Sequence, residues 1–379
     1  MSATLASPTQ EAFEALSWPV RTDENWRFGS WKEANLSGIA AIGAGSPADL
    51  PAEIEGAARF VFQNAELVSG AHDSVTPLAA SIAPESKLGS EKLAALHRLE
   101  STHGLAIEVS GEQTIEIIHL VSGEGLLAPS LKITAASGSK IRVVERFIAT
   151  DDAPATVLTA VDLNIADGAD VKYLVTQELN SVSKLIRFAD SAVGSATATQ
   201  AIIHTGAKWV REETYSSVTA TDGKSHILSV ALPATGQEYD QRTFQHHGAR
   251  DTYSNLLFKN TLFGKAKTIF SGLIFVDEGA HGTDAYQTCR NLMMTDDCEA
   301  HSMPGLEINA DDVACSHGST TARVSEDEIF YLMARGIQPK LARSLVAQGF
   351  SAEAIEKLQD DTLEELAVGV VAKKFEAVD

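Results

Sequence analysis

Cysteine is scarce in this sequence, with three residues in 379. So small and odd a number excludes a disulfide framework. It fits a reducing, cytoplasmic compartment, where thiols stay free for metal or sulfur chemistry. Basic residues are also few: 30 Lys and Arg stand against 51 Asp and Glu, a formal net charge of -21. No Lys/Arg-rich run with interleaved aromatics occurs, which argues against nucleic-acid binding, and the acidic surplus disfavours anionic membranes. No stretch approaches about 18 uninterrupted apolar residues, so no transmembrane helix is expected. The opening "MSATLASPTQEAF" has neither the basic nor the apolar region of a secretory signal.

What is present is globular in composition, with 44% apolar residues. At roughly 150 residues per domain, the length predicts about two or three domains. Residues 1–101 read as a mixed α/β region. Ser7 as N-cap, Pro8 and Gln10 open a first helix with Phe13 and Leu16 on one face, stopping near Trp18-Pro19. Leu93, Leu96 and Leu99 recur at helical spacing and predict a second helix over 90–99. Residues 102–322 change character. Runs such as "QTIEIIHLVSG", "IRVVERFIA" and "VKYLVTQEL" are strand-length and punctuated by Gly, Asp or Asn. They suit a sandwich, a barrel or a stacked β-solenoid, and periodicity leaves all three open. Residues 323–379 are helical. Ser325 and Glu328 form a capping box, Gly336 occupies a C′ position and Pro339 follows. "PKLARSLVAQGF" predicts a helix with Leu341 and Leu345 on one face, ended by Gly349. "SAEAIEKL" and "DTLEELAVGVVAKKF" predict two more.

Several motifs fail on inspection. "DGKS" at 222–225 lacks the earlier glycine of a phosphate-binding loop, since Val218 stands there, and "HILSVAL" after it reads as a strand. Asp222-Gly223 reads as a hairpin turn. "GAGSPA" from Gly43 lacks the third glycine of a dinucleotide fingerprint. The sequence thus offers no ATP site. His246 and His247 are adjacent, so on a strand they face opposite ways; the same holds for Asp311 and Asp312. No G-x-S-x-G elbow is present.

Cys315 and His317 differ, because residues i and i+2 of an extended segment share a face. A thiolate and an imidazole there suit iron or zinc. Two ligands do not close a site, which takes about four. A buried structural pair is the alternative, and Cys289 and Cys298 upstream either add ligands or are inert core thiols.

The joined motifs resemble a known family. "ADDVACSHGST" with "EDEIFYLMARGI", the preceding "GTDAYQTCRNLMMTDDCEAHSMPGLEI", the block "QRTFQHHGARDTYSNLLFKNTLFGKAKTIFSGLIFV" and the early "PVRTDENWRF" are similar to the SufB/SufD family of iron–sulfur cluster assembly scaffolds. His247 matches a family histidine in that block. Cys315 to Gly318, and the short N-terminal part, favour the SufD branch. Cys289 departs from it, falling where SufB-like chains carry a sulfur-accepting cysteine.

The resemblance implies a right-handed parallel β-helix core flanked by N-terminal and C-terminal helical domains. It implies a scaffold rather than an enzyme, with His317 and Cys315 meeting iron or a transient iron–sulfur cluster. It implies a SufB-like subunit as partner and a SufC-like ABC ATPase on the helical residues 323–379, which would hold the nucleotide. The alternatives are a homodimeric, SufB-like scaffold with Cys289 as sulfur acceptor, a metal-free module that tethers an ATPase, and a polysaccharide-cleaving β-helix enzyme. The last sits poorly with the missing secretory signal and the absence of an obvious carboxylate constellation.

Overall fold

The computed structural model describes residues 8–78, 81, 82 and 86–378. The strand-length runs stack as a parallel β-solenoid of about eight turns. The strands form two ten-stranded sheets, and from Lys140–Ala149 onward successive strands alternate between them, so each of these runs pairs with the runs one coil before and after it and not with its immediate neighbour in sequence. Sheet A ends on Glu299–Ile308 and sheet B on Ala314–Arg323. The register keeps side chains in rows across coils. One row of sheet A runs Arg187, Glu212, Gln241, Phe270, Ser302. Its facing row in sheet B runs Glu145, Val175, Ile202, Ser229, Phe258, Cys289, Ser319.

These rows explain the composition of the runs. In the early coils most inward positions are apolar, including Ile115, Ile117, Val143, Val157, Val171 and Leu185, with the buried Glu145 and Arg187 among them. Strands buried on both faces read as near-continuous hydrophobic runs, as "QTIEIIHLV" does. In later coils the inward positions turn polar: Gln241, Gln245, Asn260, Gln287 and Asn291 are all buried. The Asp222-Gly223 turn is not a hairpin. Asp222 takes a left-handed φ of 63°, and the Lys224–Ala231 strand pairs with Thr197–His204 and Tyr253–Leu262, not with Trp209–Val218. The turn is a corner that carries the chain from one sheet to the other.

The outer faces are covered from both termini. Helices α1 (Gln10–Ala15) and α2 (Glu91–Glu100) lie with Trp26, Leu36, Leu93 and Leu96 against Leu158, Ile186, Phe188 and Trp209 of sheet A. The α2 spacing behaves as predicted, with Leu93 and Leu96 buried and Leu99 half-buried. The cap of α1 does not: Thr9 is the N-cap, accepting from the Ala12 amide at 3.2 Å, and Ser7 lies outside the described residues. The helix also ends at Ala15, short of Trp18-Pro19. A strand from this N-terminal region, Ala58–Gln63, joins sheet B beside Glu112–Val121.

Helices α3 (Glu326–Met333), α4 (Pro339–Ile355) and α5 (Asp361–Val378) follow sheet B. Ser325 caps α3 through the Glu328 amide at 3.3 Å, and Gly336 takes a φ of 85°. The predicted end of α4 at Gly349 is wrong. The helix runs through it, taking in much of "SAEAIEKL", because Ala342, Ala347, Ala354 and Ile355 all bury on sheet B as one continuous face. Leu341 and Leu345 do share a face, but it points to solvent, at 52% and 41% exposure. Among the described residues no helix is long and apolar enough to cross a membrane.

Candidate functional site

The solenoid ends in an open mouth. No further strand pairs with Glu299–Ile308 or Ala314–Arg323 among the described residues, and neither strand has a fully buried side chain. The turn between them contains Asp311 and Asp312, the latter with a left-handed φ of 55°, so these carboxylates sit on a corner and not on a strand as expected.

Cys315 pairs with Ala285, His317 with Gln287, and Ser319 with Cys289. Ala285, Gln287 and Cys289 are all buried. The row Cys315, His317, Ser319 and Thr321 therefore continues the inward row of the solenoid onto its last strand. The sequence expectation that Cys315 and His317 share a face holds. Cys315 is half-buried against Ile274, Leu306 and Val313, and His317 is exposed. Burial pushes the Cys315 thiol up, opposed by a hydrogen bond to the Ala285 backbone.

Cys289 stands one strand in, two positions beyond the His317 level. At about 3.3 Å per residue its α-carbon is about 13 Å along the strand from the Cys315 level, so one chain cannot bring both thiols to a single iron. Its Sγ lies 3.7 Å from Asn260 Nδ2, 3.8 Å from Ser302 Oγ and 3.9 Å from Asn291 Oδ1. The side chain is fully buried, and that burial pushes the thiol up to about 12. Cys298 sits apart, its Sγ 3.3 Å from the Leu262 carbonyl and 3.2 Å from that of Gly264. Among the described residues no three His, Cys, Asp or Glu side chains gather closely enough to hold a metal ion.

The paired histidines part as expected. His246 faces outward, its ring nitrogens 2.9 Å from Ser217 Oγ and 2.8 Å from Asp277 Oδ2. His247 faces inward, 2.8 Å from both Thr252 Oγ1 and Ser254 Oγ. Burial lowers His247 to about 4, so it is neutral at pH 7.

Two features escaped the sequence reading. The first is the polar lining around Cys289, made by Asn260, Gln287, Asn291 and Ser302. Its signal was present as polar residues at the inward parity of "LLFKNTL" and "YQTCRNL". The second is an apolar groove of about 780 Å³ between α3 and α4, lined by Leu292, Tyr331, Leu332, Leu345, Val346 and Phe350. Phe330 and Tyr331 project beside it at 72% and 57% exposure, which makes them surface and not helix core.

Residues 119–350 match the family model for the SufBD core domain of the SUF system of FeS cluster assembly. The chain is 30% identical over 241 residues to the iron–sulfur cluster assembly protein SufD of Escherichia coli, covering 63% of this chain and 57% of that protein. It is 30% identical over 220 residues to an iron–sulfur cluster assembly SufBD family protein of Mycobacterium leprae, covering 58% of this chain and 25% of that one. A SufBD family protein of Mycobacterium tuberculosis is 33% identical over 162 residues, 41% of each chain. The chain thus spans between a quarter and rather more than half of the relatives it matches. The open-ended parallel solenoid and the family match over most of its coils agree, and the chain belongs to the SufBD family of iron–sulfur cluster assembly proteins.

Proposed function

We propose that this chain is a SufD-type scaffold subunit, on whose terminal coil iron or a nascent iron–sulfur cluster is held in transit. The observation that carries the reading is the inward row Cys315–His317 on a last strand that is paired along one edge only. A neutral imidazole and a thiolate both suit iron, and such ligation releases a cluster more readily than four thiolates. Two donors leave the set open, so the remainder comes from a second chain. The free edge of Ala314–Arg323 supports that. Ala314 and Val324 donate their amides inward to Thr283 and Met293. By the alternation of a strand, the amides of Cys315, His317, Ser319 and Thr321 face outward, with no lysine or proline among residues 314–322 to blunt the edge.

In this reading residues 1–101 flank the core, residues 102–322 form a β-helix that winds right-handed as parallel crossovers do, and residues 323–379 form a separate helical unit. The partner at the mouth is a SufB-like subunit. The groove between α3 and α4, with Phe330, Tyr331 and Leu345, receives the SufC-like ATPase, which supplies the nucleotide site. Co-expression with the ATPase, with and without the SufB-like chain, followed by native mass measurement, tests the assignment. Complexes that require the SufB-like chain support it; no complex in either case refutes it.

One observation keeps a second reading in play. Cys289 lies beside the mouth, facing Ser302 and Ser319. A homodimeric scaffold that accepts sulfur there would need the last coil to open first, since the thiol is sealed and protonated. Two copies with the ATPase and no SufB-like chain would favour it.

A further inference from the structure

The early motif "NWRFGS", at 25–30, has a placement that the scaffold reading does not use. It crosses the outer face of sheet A at right angles to the strands and steps up one coil at a time. The Asn25 carbonyl accepts from Arg211 at 3.2 Å, and the Trp26 ring lies under the same guanidinium at 4.2 Å and stacks on Trp209. The Arg27 carbonyl accepts from Arg242 at 3.2 Å, and the Phe28 carbonyl accepts from Lys267. The Phe28 ring then stacks on His301 with centroids 4.4 Å apart and planes within 6°. Arg211, Arg242, Lys267 and His301 lie on four consecutive strands of sheet A, the last being the terminal one. Ser30 returns the segment to the third-last strand, its amide and hydroxyl donating to Glu238 at 2.6 Å and 2.7 Å.

Two details mark this segment as held in place by its contacts. Phe28 has a φ of +66°, a region a bulky residue adopts only when its surroundings impose it. A Cβ at Gly29 would lie 2.8 Å from Asp240 Oδ2, and Asp240 cannot yield freely because Arg211 and Arg242 both bind it. The strand at the end of the path most needs a tether. Glu299–Ile308 pairs on one side only, with Lys267–Val276. Glu299 and Asn309 donate inward to Ala266 and Val276, so the alternation leaves the amides of Ala300, Ser302, Leu306 and Ile308 facing the free side, where Pro304 has none to offer. A one-sided strand with few buried side chains is where a solenoid opens first.

We propose that residues 25–30 act as a strap for the terminal coil. Seating or release of the Phe28 ring on His301 sets the order of Glu299–Ile308, and with it the mouth that carries Cys315 and His317. This does not depend on what the mouth binds. Any event that lifts the N-terminal segment would loosen the last coil while leaving the earlier coils intact, because Trp26 anchors the strap's other end on an inner strand.

Hydrogen exchange of the full chain, read by mass spectrometry, tests the strap. The reporting amides are those of His301, Met303, Gly305 and Glu307, which point into the ladder. Phe28→Ala is expected to speed exchange in peptides covering 299–308 by about tenfold or more, with peptides covering 155–218 unchanged. Phe28→Tyr keeps the ring and is expected to match the parent. His301→Ala is expected to reproduce the Phe28→Ala pattern, and the double variant to add nothing to either single one. Unchanged exchange over 299–308 in both Phe28→Ala and His301→Ala would overturn the proposal. So would faster exchange spread evenly over all coils.

Discussion

The buried thiol of Cys289 makes a quantitative prediction about reactivity. Alkylation requires the thiolate, and burial raises this thiol from an ordinary 9.0 to about 12. Three units lower the thiolate fraction near neutral pH about a thousandfold, or about 4 kcal/mol. The side chain is also fully buried, so reagent reaches it only through an opening of the coil. The assay is a time course with iodoacetamide at pH 7.5, each cysteine followed by peptide mass, with the chain in guanidinium as reference. Cys315, half-buried at the mouth, is expected to react first. Cys289 is expected to react at least about a thousandfold more slowly in the native chain than in the denatured one. Alkylation of native Cys289 within tenfold of its denatured rate would refute the reasoning, and would restore the site as an open sulfur acceptor. The linkage has a definite sign. A folded pKa above the unfolded one gives stability that is complete below pH 9 and is lost as pH rises toward 12.

Other expectations follow from the same geometry. His317→Ala, at an exposed position, is expected to change stability by no more than about 0.5 kcal/mol while lowering the iron retained by an anaerobically assembled complex; thermal melts and metal analysis measure the two separately. Arg187 and Glu212 form an ion pair with both side chains at 0% exposure, so Arg187→Met should cost about 3–5 kcal/mol in a denaturant titration by leaving Glu212 buried and unpaired. Burial lowers His97, His103 and His247 to about 4 and His204 to about 3. Each remains neutral in the fold while the unfolded chain protonates below about 6.5. Their stabilisation is complete above pH 6.5 and falls away toward pH 4, so the denaturation midpoint should drop steadily over that window. A flat midpoint there would contradict the burial of these imidazoles.

The strand-length runs with Gly and Asp between them were legible because a residue's face on a strand depends only on parity, which sequence displays directly. The same parity placed Cys315 with His317 and separated His246 from His247. Ser325 and Glu328 announced α3 because a capping box is a local bond. Gly349 misled for a related reason. Glycine ends a helix only where nothing else holds it, and α4 is held by Ala347, Ala354 and Ile355 on sheet B, contacts that lie far away in sequence. Asp222-Gly223 misled likewise, since a turn's residues are local but the partner of the strand that follows is not.

The sequence by itself determined the strand-length runs, most helix positions and the placing of Cys315 with His317 on one face. Only the tertiary structure decided that the coils wind into a solenoid whose last strand keeps one free edge, that Cys289 is sealed inside it, and that the N-terminal segment crosses to His301. Each of those is a relation between residues tens to hundreds of positions apart. Such contacts follow from which surfaces are left to bury once the local structure has formed, and no short pattern in the chain records them.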